Sequence, residues 1–340
     1  MSSRASRRRM IASAPVYVAL GAWAAVCLFP LYWIAVTSLK GEYQIVKGPF
    51  YLPFVDFTPT LDSWRFILWD ASENLLLQFF NSAVVGISST ALTLLLAGMF
   101  VYGITRLPFA VTLTSAVALG LLAVSVGGVS LGLFWLAGLA AAGFVLLLVA
   151  GRRIGRRGPT LGKRALLFGL LATRILPPVI VVLPIYLMAL HTGTLDTRFA
   201  LIVTYTASNL PIALWLLVPV FGDVATEQEE AAQLDGASRL RVFATVLVPM
   251  LAAGITAAGV LVFVLCWNEY LFAAYLAAGR AMTMPPWVVG QLSMKEGQIG
   301  GDIVEWSRLS AAMVVMTVPV VVAAAFVQRF LRRFGIWRRA

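Results

Sequence analysis

The sequence is short of charge, histidine and cysteine, and each shortage removes a class of function. Asp, Glu, Lys and Arg make up 12% of its 340 residues, about half the share found in soluble globular domains. So few charges do not cover the surface of a soluble protein of this length. His191 is the only histidine, which excludes a histidine-based catalytic triad and a multi-histidine metal site. Cys27 and Cys266 both lie inside apolar stretches, so neither a disulfide framework nor a thiolate metal site is expected. The sequence offers no paired aspartates and no nucleophile–base pair for an intramembrane enzyme. It also has no phosphate-binding loop. The nearest stretch, GPTLGKR at 158–164, puts three residues between its glycines and follows Lys163 with Arg164, whereas the loop needs four residues and then Ser or Thr.

What the chain does have is apolar length. Hydrophobic residues make up 60% of it and its mean hydropathy is +0.89. Runs of about 20 apolar residues are the mark of helices that satisfy their own backbone hydrogen bonds in lipid. Eight can be drawn, over 15–39, 77–105, 108–128, 131–150, 165–190, 200–221, 246–277 and 309–326. The expected fold is therefore all-α, a polytopic membrane protein of about eight transmembrane helices. The charged start MSSRASRRRM resembles that of a signal peptide, but the apolar stretch behind it is too long for a cleavable core and reads as a retained first helix.

The net charge of +11 raises the possibility of nucleic acid, but the basic residues sit just outside the apolar runs. With a cytoplasmic N-terminus, one side of the membrane collects Arg4, Arg7, Arg8 and Arg9, then Arg106, the basic loop from Arg152 to Arg164, Arg239 and Arg241, and the Arg329–Arg339 tail. That side holds most of the 26 basic residues, so the positive-inside rule places both termini and the 222–245 segment in the cytoplasm. The expected partners are thus lipid and protein rather than nucleic acid. The opposite side carries 40–78, the turn HTGTLDTRF and 279–308; the first and last are rich in Trp, Tyr, Pro and Gly, as suits either a membrane-surface lid or plain connecting loops. The stretch 109–163 stands apart in composition, as an inserted helical hairpin closed by a basic loop.

Between two apolar runs lies a polar elbow, QEEAAQLDGASRLRVFATVLVP at 228–249. Thr226 and Glu229 have capping-box spacing, and Glu229 and Glu230 favour the positive end of a short helix. Asp235-Gly236 supplies the break, because Gly takes the left-handed conformation that ends a helix. Ser238 is placed to cap a second helix. Lipid-surface helices favour Lys and Arg on the polar face. This one offers Glu, Gln and the small Ala231 and Ala232, which let a partner's backbone approach, so it reads as a docking knob.

The stretch Glu230-Ala231-Ala232, then Gly236, then Val246-Leu247-Val248-Pro249 resembles the EAA loop of ABC-importer permeases, with Val in place of Ile and of Leu. The segments LFPLYWIAVTSLK at 28–40, 81–109, ILPPVIVVLPIYL at 175–187 and WNEYLFAAYL at 267–276 resemble the maltose-type carbohydrate permeases, specifically the smaller partner of the permease pair. Such permeases have six spans, so the 109–163 insert makes this an eight-span variant in one 1–340 permease domain. The tail QRFLRRFGIWRRA lacks the Gly-rich end that reaches the ATPase in many of them.

The resemblance implies a prokaryotic inner-membrane importer of several chains. These are a second permease, two copies of an ATPase subunit that binds ATP and Mg, and an extracytoplasmic substrate-binding protein, with no cofactor in this chain. It also implies that Glu230 pairs with a basic group on the ATPase, that Ala231, Ala232 and Leu234 pack there, and that Asp235 and Gly236 set the angle. The solute is expected to be a sugar or oligosaccharide, with a polyol or glycerol-phosphate-type solute as the alternative.

Intramembrane polar groups are expensive and mark candidate function. Trp267, Asn268, Glu269 and Tyr270 suit a hydroxylated solute in the translocation path, and they suit an interface anchor equally well. Arg174 reads as a snorkelling or paired arginine. A self-sufficient ion-coupled transporter, the rival class, would want several such carboxylates and a repeated architecture; Glu269 serves it poorly.

Overall fold

The computed structural model describes residues 2–48, 50–69, 75–106, 111–112, 139, 142–143, 160–161, 163–175, 177–222, 227–290 and 306–333. Of the expected spans at 108–128 and 131–150 only 111–112, 139 and 142–143 are described, and 111–112 is a strand where a helix was expected; the capping residue Thr226 and the end of the tail lie outside the described residues. Four described helices are long and apolar enough to cross a membrane: Pro15–Thr37, Leu75–Arg106, Arg198–Gly222 and Trp306–Phe330. A fifth span results if Arg239–Met250 and Ala252–Trp267, which meet at 83°, count as one. Apart from one two-stranded pairing, the described elements are helical.

The chain divides into two compact units. The first takes residues 1–75 and 287–318. It holds α1 (Ser2–Thr37), α2 (Glu42–Lys47), α3 (Asp62–Trp69) and the start of the last helix. The apolar window of α1 leaves its side chains outward, with Tyr17, Val18 and Trp23 exposed, as expected of a helix solvated by lipid or by another chain. Its far end is tied down: Thr60 N–H donates to the Leu39 carbonyl, and the Trp64 indole donates to Ser38. The Arg308 guanidinium lies 3.5 Å from the Phe66 ring centroid, a cation–π contact.

The second unit takes 76–286 and 319–340. Its elements are α4 (Leu75–Arg106), the pair β1 (Val111–Thr112) and β2 (Thr160–Leu161), α5 (Lys163–Ala172), α6 (Pro178–His191), α7 (Arg198–Gly222) and α8 (Glu227–Leu234). There follow α9 (Arg239–Met250), α10 (Ala252–Trp267), α11 (Leu271–Leu276), the start of α12 (Met284–Gly290), whose residues 287–290 fall in the first unit, and then the end of α13 (Trp306–Arg333). α7 is the hub of this unit. It packs on α5, α10 and α11, and buries Leu201, Tyr205, Leu214, Leu217 and Phe221. Close approach depends on small residues. A Cβ on Gly254 would fall 2.5 Å from Val220 Cγ1, and one on Gly259 would fall 2.9 Å from Leu94 Cδ1. Glycine at these two positions lets α10 lie against α7 and α4, the usual solution where lipid gives no hydrophobic drive between helices.

Two expected spans take a different form. The 165–190 run is broken: α5 ends in a 3-10 turn, Thr173–Ile175, and α6 starts afresh at Pro178. Pro177 and Pro178 lack amide hydrogens and cannot continue the ladder, while Pro178 suits the first turn of a new helix. The 246–277 run begins inside α9, bends at Leu251 and stops at Trp267. Residues 268–270 then separate it from α11.

Candidate functional site

The elbow is built against the ends of two long helices. α4 closes with Arg106 in its last turn, and α7 closes with Phe221 and Gly222. Arg106 Nη2 donates to the Phe221 carbonyl at 3.3 Å, satisfying one of the carbonyls left open at a helix end. Its Nε lies 2.7 Å from Glu229 Oε1, and only 4% of the Glu229 side chain is exposed. Glu229 therefore points inward and fixes α8 to α4. Successive helical residues lie 100° apart, and Glu230 emerges on the exposed side.

The break at the tip has the expected form. Gly236 has φ 86°, the Ala237 N–H donates to the Ala232 carbonyl and the Gly236 N–H donates to the Gln233 carbonyl. These two bonds make a Schellman cap with Gly at the left-handed position. Ser238 Oγ then accepts from the Arg241 N–H at 3.4 Å and caps α9. Glu230, Ala231, Asp235 and Gly236 are exposed, Ala232 is half-buried, and Leu234 is 89% exposed. The residues expected to dock thus form one outward ridge, and none of them has a side-chain bond within the described residues.

Behind the ridge an aromatic wedge continues the joint. Phe243 is buried, its ring stacked on Phe221 at 6.5 Å and tilted on Tyr102 at 5.4 Å. It opens a π-helical stretch, Phe243–Leu247, in which the Val248 N–H reaches the Phe243 carbonyl. Pro249 has no hydrogen to donate, so the ladder is already interrupted where the helix widens. The elbow is in this way coupled to α4 by an ion pair and to α4 and α7 by ring contacts.

The residues expected to line a path are separated by the structure. Trp267 is buried against Phe79 and Phe263, with centroids 5.5 and 5.7 Å away. The Asn268 amide donates to the Val264 carbonyl of its own helix. Glu269 Oε1 accepts from the Phe272 N–H, capping the first turn of α11, and the Tyr270 ring is exposed. Tyr205 OH donates to the Glu269 carbonyl.

Sequence reasoning missed the polar contact beside them. Arg174, at the break between α5 and α6, donates to Asn209 Oδ1 at 2.6 Å, halfway along α7. Asn209 Nδ2 in turn reaches the Tyr205 carbonyl and Cys266 Sγ. Arg174, Thr204 and Ser208 line a cavity of about 300 Å3 together with Phe272. An asparagine at the centre of an apolar run was the available signal.

At the opposite end of α7 a second polar cluster holds residues 279–284. Asp196, at φ 56°, accepts from the N–H groups of Gly279, Arg280 and Ala281 at 3.0, 2.8 and 3.2 Å. Asn81 Nδ2 donates to the Arg280 and Met282 carbonyls, and its Oδ1 accepts from Arg198 Nε.

With this geometry in view, comparison with known proteins gives a consistent result. The family model described as binding-protein-dependent transport system inner membrane component matches residues 143–335. The probable ABC transporter permease protein y4oR of Sinorhizobium fredii is 29% identical over 306 residues, covering 90% of this chain and 87% of its own. The sulfoquinovosyl glycerol transport system permease protein SmoH of Agrobacterium fabrum is 28% identical, covering 88% and 84%. The trehalose/maltose transport system permease protein MalG of Thermococcus litoralis is 25% identical, covering 91% and 89%. Among solved structures, a chain of a bacterial ABC transporter involved in the import of the acidic polysaccharide alginate matches with a TM-score of 0.60 and 17% identity, over 97% of this chain and 99% of that one; this likeness bears on the fold. The chain is a multi-pass protein of the cytoplasmic membrane and belongs to the family of binding-protein-dependent transport system inner membrane components.

Proposed function

We propose that this chain is one of two permease subunits of an ABC importer for a sugar or oligosaccharide, and that its elbow is the joint to an ATPase subunit. One observation carries the reading. α8 is fixed on its inner side by the Arg106–Glu229 pair, while Glu230, Ala231, Ala232, Leu234, Asp235 and Gly236 make no side-chain bond within the described residues. A helix anchored on one face and bare on the other suits transmission of force from a second protein. Glu230 offers that protein a carboxylate, and Ala231, Ala232 and Leu234 offer a low apolar ridge.

The remaining parts of the proposal follow from this role. ATP and Mg are bound by two copies of the partner ATPase, and the solute arrives on an extracytoplasmic binding protein. Both termini and the elbow face the cytoplasm, with eight spans if 109–163 crosses and returns. The sugar class is supported by the relatives that handle trehalose, maltose and sulfoquinovosyl glycerol.

The test is to purify the chain gently from its native membranes and identify what accompanies it by mass spectrometry. Recovery of an ATPase, a second permease and a binding protein is expected, and the binding protein can then be screened against sugars. If the chain purifies alone and moves solute into vesicles without ATP, the elbow is no motor joint and an ion-coupled transporter takes its place.

A further inference from the structure

The end of α1 remote from the Arg4–Arg9 cluster carries a buried cation that the transport reading does not use. Lys40 lies three residues beyond the apolar window that closes at Thr37, and it is 3% exposed. Its Nζ stands 4.5 Å from the Trp33 ring centroid and 5.5 Å from that of Phe57. Ring faces hold a cation in place but do not neutralise it. No carboxylate lies within ion-pair distance of Lys40 among the described residues. The nearby Asp56 is committed elsewhere, since its Oδ2 accepts from the N–H groups of Tyr51 and Leu52. Burial accordingly lowers the Lys40 pKa, with Asp56 only partly opposing the shift.

Three residues earlier, Thr37 Oγ1 is buried without a hydrogen-bond partner. Buried hydroxyls are normally satisfied, so this one calls for an occupant. Both residues line a cavity of about 560 Å3, together with Ser310 and the apolar Ile34, Leu309 and Met313. A cation and two hydroxyl-bearing residues in the lining of an otherwise apolar cavity fit an anionic oxygen group carried on hydrocarbon.

We propose that this cavity holds the phosphate of a membrane phospholipid, with Lys40 as its counter-ion, Thr37 and Ser310 as hydroxyl donors, and the acyl chains against Ile34, Leu309 and Met313. The position favours a lipid over a free anion. The site stands at the end of a 23-residue apolar window, the depth at which headgroups lie, beside a tryptophan of the kind that anchors helices there. The inference rests on the chain's place in the membrane and is independent of the elbow.

The test uses the assembled transporter, reconstituted in bilayers containing phosphatidylglycerol, extracted into mild detergent and washed, with retained lipid counted by native mass spectrometry. One phospholipid per chain is expected in the wild type. Lys40→Gln should lower its occupancy about tenfold, the effect of one charge-assisted hydrogen bond. Lys40→Arg should retain the lipid. Thr37→Val, which keeps the side-chain shape, should lower occupancy less and still read the site if Lys40→Gln fails to assemble. Equal retention in Lys40→Gln, or in Thr37→Val where only that variant assembles, overturns the proposal. So does complete displacement by millimolar inorganic phosphate, which would mark a free-anion site. A photo-crosslinker at Ile45 that captures a second protein chain instead of lipid overturns it too.

Discussion

Arg106 Nε and Glu229 Oε1 lie 2.7 Å apart although 123 residues separate them in sequence, and theirs is the sole ion pair among the described residues. The contact joins the last turn of a helix of membrane-spanning length to the first turns of the elbow helix. Because Glu229 is almost fully buried, neither partner is replaced by water at little cost. A displacement of α8 therefore has to move α4 or break the pair.

Removing one partner should consequently cost more than removing both. In a double-mutant cycle of Arg106→Gln and Glu229→Gln, read by thermal unfolding of the purified complex, each single change is expected to destabilise the protein. The double change should recover part of the loss, with an interaction energy of roughly 0.5–3 kcal/mol. The singles should also release ATPase activity from dependence on the binding protein, since the joint behind the docking ridge is slack. Strict additivity would show that the pair carries no coupling.

Gly236 allows a sharper separation of strain from surface chemistry. At φ 86° a side chain is strained, although a Cβ there would meet nothing within 4 Å. Ala at a left-handed position costs about 1–2 kcal/mol and Asn costs less. Gly236→Ala is expected to impair transport-coupled ATPase activity more than Gly236→Asn does. Gly236→Asp, which adds a charge to the ridge, should be inserted normally and be fully uncoupled. Normal coupled activity in Gly236→Asp would remove the ridge from the docking surface.

The Asp196 cluster predicts an effect on stability at the other end of α7. Gly279→Ala would put a Cβ 2.7 Å from Asp196 Oδ2, forcing the carboxylate off its three N–H donors. Asp196→Asn puts an amide donor among those donors and is expected to cost roughly 1–3 kcal/mol. Both variants should melt earlier in detergent, and Gly279→Ala should be no milder than Gly279→Ser. A wild-type melting temperature in Asp196→Asn would show that the 279–281 segment is held by other contacts.

How far these features were legible in the sequence depends on their range. The Schellman cap at Gly236 and the Ser238 cap are local, set by residue types within four or five positions, and they were read correctly. The Arg106–Glu229 pair is not local. Adjacent glutamates gave no sign that Glu229 turns inward and Glu230 outward, because that depends on where α4 ends. The prolines at 177 and 178 were visible, yet a kink and a full break look alike in sequence. The π-helical turn at Phe243–Leu247 has no residue signature beyond Pro249 downstream of it. Trp267 to Tyr270 formed one motif in sequence, but a helix that stops at Trp267 sends those four side chains to different surroundings.

The pairing of β1 with β2 bears on the insert between them. Val111 faces Leu161 and Thr112 faces Thr160 in antiparallel register, so the two ends of the inserted stretch stand about 5 Å apart. A gap of that size is closed by a two-residue Asn-Gly turn with the twist that antiparallel strands favour. Replacing 113–159 by such a turn is expected to leave the rest of the chain inserted. If the removed stretch crosses the membrane and returns, an even number of spans is lost, so reporter fusions at the two termini should stay on the same side of the membrane. Transport measured on that variant then separates a helical accessory from a working part of the path. A terminus that changes sides would show that the stretch crosses an odd number of times, and the eight-span proposal would fail with it.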